Sequence, residues 1–86
     1  MRELKNRLKK CQPYYIEKEL LPNLFFCEER EEQEKWIFIY SFIRRLTDTS
    51  IGIRLGYTSS NIHYITKNIL EANEDLINEF LSTHNI

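Results

Sequence analysis

The only two glycines of this chain, Gly52 and Gly56, stand four residues apart inside one stretch of helical apolar spacing. Its only two prolines, Pro13 and Pro22, lie near the start. So few turn formers disfavour a multi-stranded sheet and favour helices. The expected fold is all-α, a small helical domain of four to five helices. At 86 residues the chain makes one domain, residues 1–86, and buries roughly 60–65% of its unfolded surface. Hydrophobic residues make up 42% and aromatic residues 13%, which excludes compositional disorder.

The net charge of −1 conceals a pattern, and the distribution matters more than the sum. Met1 to Gln12 carries Arg2, Lys5, Arg7, Lys9 and Lys10 against Glu3. Pro13 to Lys35 is acidic, Trp36 to Leu70 is basic through Arg44, Arg45, Arg54 and Lys67, and Glu71 to Ile86 carries only acids. Two basic blocks alternate with two acidic ones.

Leu4 and Leu8 form a narrow apolar stripe on a basic helix, Arg2 to Gln12. Tyr15, Ile16, Glu19 and Leu20 suggest a second short helix from Tyr14 to Leu21. Pro22 is expected to end it, because the residue before a proline is pushed away from the α region. Leu24, Phe25 and Phe26 form an apolar knot with no clear element. The acidic run Glu28 to Glu34 suits a solvated helix N-terminus. The helix it opens reaches about Leu46, with Trp36, Ile39, Tyr40, Ile43 and Leu46 expected on the inward face.

The stretch from Thr47 to Leu70 carries the most information. Thr47 is placed to cap a helix ending at Leu55, with Ile51 and Leu55 inward. Gly52 costs roughly 1 kcal/mol relative to Ala in a helix interior, which is tolerated where another backbone comes close. Gly56 suits a left-handed turn residue. Thr58 caps a second helix that turns Ile62, Ile65, Ile69 and Leu70 inward. Two short helices joined by such a turn are the marks of a helix-turn-helix. The domain then divides into an N-terminal helical extension (1–30), a helix-turn-helix core (31–72) and a C-terminal amphipathic helix (73–86). Leu76, Ile77, Phe80 and Leu81 pack that last helix on the core or on a second copy.

These residues resemble the tetrahelical helix-turn-helix domains of sigma factor region four and of LuxR-type response regulators. The shared pattern appears as Leu46-Thr47, Ile51-Gly52, Leu55-Gly56, Thr58 and Ile62, closing on Lys67-Asn68-Ile69-Leu70. Gly52 replaces the usual Ala, Ser50 the usual Glu, and Thr66 stands where an apolar residue is common. The likeness covers about 40 residues and leaves out the first thirty. It implies a small sequence-specific DNA-binding transcriptional regulator, of bacterial, phage or mobile-element type. In such domains the second helix lies in the major groove of double-stranded DNA. The outward positions are Ser59, Ser60, Asn61, His63, Tyr64 and Lys67. Asn61 suits adenine, and the serines suit either base type. Lys67, Arg44, Arg45 and Arg54, with the helix start at Thr58, would hold phosphates. A homodimer would present two half-sites, with Tyr14 to Phe26 and Leu76 to Leu81 as candidate dimer surfaces.

An alternative reading keeps the fold and changes the partner, giving a protein-binding module that acts on a host protein. The acidic blocks and a second helix without Arg favour it. No nucleophile elbow, Gly-rich phosphate loop or metal-ligand cluster is present, so neither an enzyme nor a cofactor is expected. Cys11 and Cys27 form no CxxC pair and are expected to be reduced thiols in a cytoplasmic protein. No apolar run approaches membrane-spanning length.

Overall fold

The computed structural model describes residues 2–86. The described residues form six helices and no strand. They are α1 (Arg2–Lys10), α2 (opening as Pro13–Tyr15), α3 (Glu31–Phe38), α4 (Asp48–Leu55), α5 (Ser59–Ala72) and α6 (Glu74–Thr83). The radius of gyration is 12.0 Å, close to the ~12 Å expected of a compact chain of this length. One core draws on every helix: Leu4 and Leu8 of α1, Ile16 and Leu20 of α2, Ile37 and Phe38 of α3, Ile51 of α4, Ile62 and Ile69 of α5, and Ile77 and Leu81 of α6. No helix among the described residues is long and apolar enough to cross a membrane.

The first half is irregular. Helix α2 starts on Pro13, whose missing N–H belongs to an unbonded first turn anyway. It widens into a π turn over Ile16–Leu20 and tightens to a 3-10 turn over Leu21–Asn23. Leu21 keeps α-region angles, φ −52° and ψ −45°, so Pro22 sits inside the turn rather than ending the helix before it. The chain leaves helical geometry only at Leu24, with ψ 144°. Asn23 Nδ2 donates to the Glu19 carbonyl at 2.9 Å, which occupies an acceptor near the helix end.

The apolar knot that follows is pinned from far away. Asn73 is buried between α5 and α6. Its side chain accepts from the Phe25 N–H at 2.7 Å and donates to the Phe25 and Ile69 carbonyls, each at 2.9 Å. The Asn73 amide thus serves Phe25 as a neighbouring strand would. Leu24 and Phe26 pack on the core, while the Phe25 ring lies outside, 64% exposed.

Helix α3 presents a different face from the expected one. Its buried row is Glu34, Ile37, Phe38, Ser41 and Phe42, the last two on the π turn Ile39–Ile43 that continues the helix. Ile39, Tyr40, Ile43 and Leu46 are half-buried at its flank, and Trp36 is 42% exposed. Trp36 to Ile43 is apolar almost all round, so two rows compete at helical spacing. The winning row contains a Glu and a Ser, which weakened its signal. Glu34 is inward because its Oε1 accepts the Cys27 N–H at 2.9 Å, with Arg30 Nε 3.5 Å from its other oxygen. It is therefore not part of a solvated acidic turn.

The helix ends at Arg45, which holds a left-handed φ of 59°. The Leu46 N–H reaches back to the Tyr40 carbonyl at 2.8 Å and closes the end. An L side chain at this position carries a steric cost. The Arg45 guanidinium offsets it by donating to the Phe42 carbonyl and to the carbonyls of Lys9 and Cys11 at the end of α1.

The second half follows the sequence more closely. Thr47 caps α4 by accepting from the Ser50 N–H at 3.2 Å, and Thr58 caps α5 by accepting from the Asn61 N–H at 3.1 Å. Gly56 takes φ 80°. A Cβ on Gly52 would stand 2.3 Å from the Tyr57 carbonyl oxygen. The Gly52 carbonyl itself accepts from the N–H groups of Gly56 and Tyr57, each at 2.8 Å. The inward row of α5 is Ile62, Thr66, Ile69 and Leu70. Ile65, expected inward, is half-buried beside it. Ile77, Phe80 and Leu81 of α6 are spent in this chain's own core, which leaves little of the Leu76 to Leu81 face for a second copy.

Candidate nucleic-acid interface

The first two turns of α5 leave the body of the protein with their polar groups outward. Ser59, Ser60, Asn61, His63, Tyr64 and Lys67 are all exposed, as is the capping Thr58. The cause is the register of the apolar row: with Ile62, Thr66 and Ile69 inward, the intervening positions face away. The Thr58 hydroxyl is engaged at the cap, so its contribution to an anion would come through the helix start rather than the side chain. Tyr64 is 61% exposed, whereas the Tyr57 hydroxyl accepts a hydrogen bond from Gln33 at the start of α3.

The four cations expected to hold phosphates separate into three situations. Lys67 is exposed on α5, 3.9 Å from Glu71 one turn later. Arg44 and Arg54 come together on Tyr40, each guanidinium 5.7 Å from the ring centroid. Both keep exposed side chains and form a small basic cluster where α3 and α4 meet. Arg45 is a correction. Its guanidinium is committed to three backbone carbonyls, and a group held this way has few donors left for a phosphate.

The structure adds residues that the expected site lacked. A cleft of about 460 Å³ runs between α1 and α5, lined by Arg2, Lys5, Asn6 and Lys9 on one side and His63, Thr66, Lys67 and Leu70 on the other. The basic N-terminal block therefore lies beside the outward face of α5. The signal was present in the sequence: Arg2, Lys5 and Lys9 recur at helical spacing opposite Leu4 and Leu8. What was missing was the tertiary placement of α1, which packs on α6 and so faces α5 across the cleft. Asp48 lies at the margin, its Oδ2 3.9 Å from Lys5 Nζ and 3.7 Å from His63 Nδ1.

Among the described residues, no three His, Cys, Asp or Glu side chains gather as a metal site would require. Both cysteines are free. Desolvation pushes the buried Cys11 thiol up, against the pull of the Arg45 guanidinium, so it stays protonated at neutral pH. No family model, curated protein or solved structure matches the chain.

Proposed function

We propose that this chain is a small DNA-binding transcriptional regulator that reads double-stranded DNA with α5, the second helix of a helix-turn-helix formed with α4. One observation carries the reading: a capped helix exposes Ser59, Ser60, Asn61, His63, Tyr64 and Lys67 over its first turns while its opposite face is locked in the core. A helix presented this way fits the major groove, with its N-terminal residues at base edges. The basic side chains of α1 and the pair Arg44 and Arg54 supply the sequence-independent attraction to phosphates. Two copies paired by a two-fold axis would bind two half-sites about one DNA turn apart.

Salt titrations on duplex DNA test this reading. Asn61→Ala should cost roughly 1–3 kcal/mol on a specific site and relax preference at one base position. Lys67→Ala should weaken all sequences about equally and reduce the salt slope by about one. Both side chains are exposed, so thermal melts should match the parent. If both variants bind every duplex as the parent does, α5 does not read DNA.

A second reading has its own observation. Ile53 on α4 is 79% exposed, and an apolar side chain this open near a helix pair suits a protein partner better than a phosphate backbone. A nuclease-insensitive, stoichiometric partner lost on Ile53→Asp would favour a host-protein-binding module.

A further inference from the structure

The cleft between α1 and α5 is built differently from a DNA-facing ridge. Four of its residues come from one row of α1, Arg2, Lys5, Asn6 and Lys9, and four from one row of α5, His63, Thr66, Lys67 and Leu70. Each row follows the spacing i, i+3, i+4, i+7 or its near equivalent, so the two helices offer matching stripes to a common space. The walls are basic. Among the described residues, Arg2 and Lys9 pair with no carboxylate. Lys5, His63 and Lys67 lie 3.7 to 3.9 Å from Asp48 or Glu71, beyond the ~2.7–3.2 Å of a made hydrogen bond. Lys5 and Lys67 thus keep ammonium donors at the rim that a ligand can take up.

The floor of the cleft carries an unpaired hydroxyl. Thr66 is 2% exposed, and its Oγ1 has no hydrogen-bond partner. A helical threonine ordinarily turns its hydroxyl to the carbonyl one turn earlier, but this one does not. An unpaired buried hydroxyl is costly and calls for an explanation. Beside it Leu70 closes the floor with apolar surface. A site of about 460 Å³ lies within the ~300–1,000 Å³ range of small-molecule sites. Cationic walls and one buried O–H donor, with no carboxylate among the lining side chains, match the oxygens of a phosphoryl group, which accept several charge-assisted hydrogen bonds at once.

We propose that this cleft is a phosphoryl-binding site, in which the Thr66 hydroxyl rotates toward the cleft and donates to a phosphoryl oxygen while Lys5, Lys9, Arg2 and Lys67 neutralise its charge. The phosphoryl group has two sources, a free phosphorylated small molecule or a backbone phosphate of bound nucleic acid. The site does not depend on α5 reading bases.

The experiment is a titration of the ¹⁵N-labelled full chain with inorganic pyrophosphate, and separately with a short mixed-sequence DNA duplex, each at constant ionic strength. Parent, Thr66→Val and the double variant Lys5→Ala/Lys9→Ala are compared, with Asn61→Ala as a control. Thr66→Val keeps the shape and removes only the hydroxyl, so its melting temperature should equal or exceed the parent's. Pyrophosphate should move the amide signals of residues 5–9 and 63–67. Thr66→Val should weaken it about tenfold, the size of one hydrogen bond to a charged group. The lysine double variant should weaken it at least as much, and Asn61→Ala should leave it unchanged. If pyrophosphate leaves these signals still but the duplex moves them and loses about tenfold on Thr66→Val, the source is a nucleic-acid phosphate. The proposal is overturned if neither probe moves these signals, or if Thr66→Val binds both as the parent does. Asn61→Ala should bind the mixed-sequence duplex as the parent does, because its cost falls on a specific site.

Discussion

The unit α4–α5 and the assembly α1–α3 are both helical, but they are held in different ways. In α4–α5 each decisive bond spans three or four residues: Thr47 to Ser50, Thr58 to Asn61, and Gly52 to Gly56. In α1–α3 the decisive bonds cross the molecule. Arg45 binds the carbonyls of Lys9 and Cys11, and Asn73 grips Phe25. The local devices give regular helices with clean ends. The remote ones hold a left-handed arginine at a helix end and the extended segment at Phe25. A helix whose caps are local can be read from a few neighbouring residues. A segment that takes its partners from elsewhere cannot.

The largest expected effect concerns which face of α3 is inward. Phe42 is fully buried, whereas Trp36 is 42% exposed and stacks only on Tyr40, with ring centroids 5.7 Å apart. Phe42→Ala should cost about 3–5 kcal/mol in stability. Trp36→Ala should cost about 1 kcal/mol, in the range of one aromatic pair. Urea unfolding measures both, and equal costs would show that the helix is rotated toward the Trp36 row.

Next comes the remote clamp. Arg45→Ala should cost about 2 kcal/mol, because it removes charge-assisted bonds to carbonyls at two helix ends. Arg45→Lys should not restore the loss, since an ammonium cannot fork to the Lys9 and Cys11 carbonyls together. Arg45→Gly should relieve the left-handed backbone and recover only part of it. Thermal melts of the three variants decide, and a fully stable Arg45→Lys would mean that charge alone holds the junction.

The smallest effect tests the local side of the contrast. Thr58→Ala should cost about 1 kcal/mol, and the damage should stay in the first turn of α5. Hydrogen exchange should speed up at Ser60 and Asn61 while the core amides of α1 and α2 keep their protection. Faster exchange spread through α1 would show that the two regions are less separate than their bonds suggest.

The same contrast separates what was legible in the sequence from what was not. The scarcity of Gly and Pro fixed the all-α class. Thr47, Gly52, Gly56 and Thr58 marked α4, the turn and α5, because caps and left-handed turns are matters of a few adjacent dihedrals and one side-chain oxygen. The outward set on α5 followed from its apolar row, with Ile65 half-buried at the edge of that row and Thr66 buried within it. Other features depended on tertiary structure. An apolar segment such as Trp36 to Ile43 offers two faces of similar hydrophobicity, and the choice between them comes from the packing of the other helices. Arg45 looks like a free cation until carbonyls from α1 arrive beside it. The cleft exists only because the fold sets α1, which packs on α6, across from α5, bringing together side chains more than fifty residues apart in the chain. Short-range stereochemistry is written in neighbouring residues, whereas a shared face or cleft is a property of two segments and is settled only when they meet.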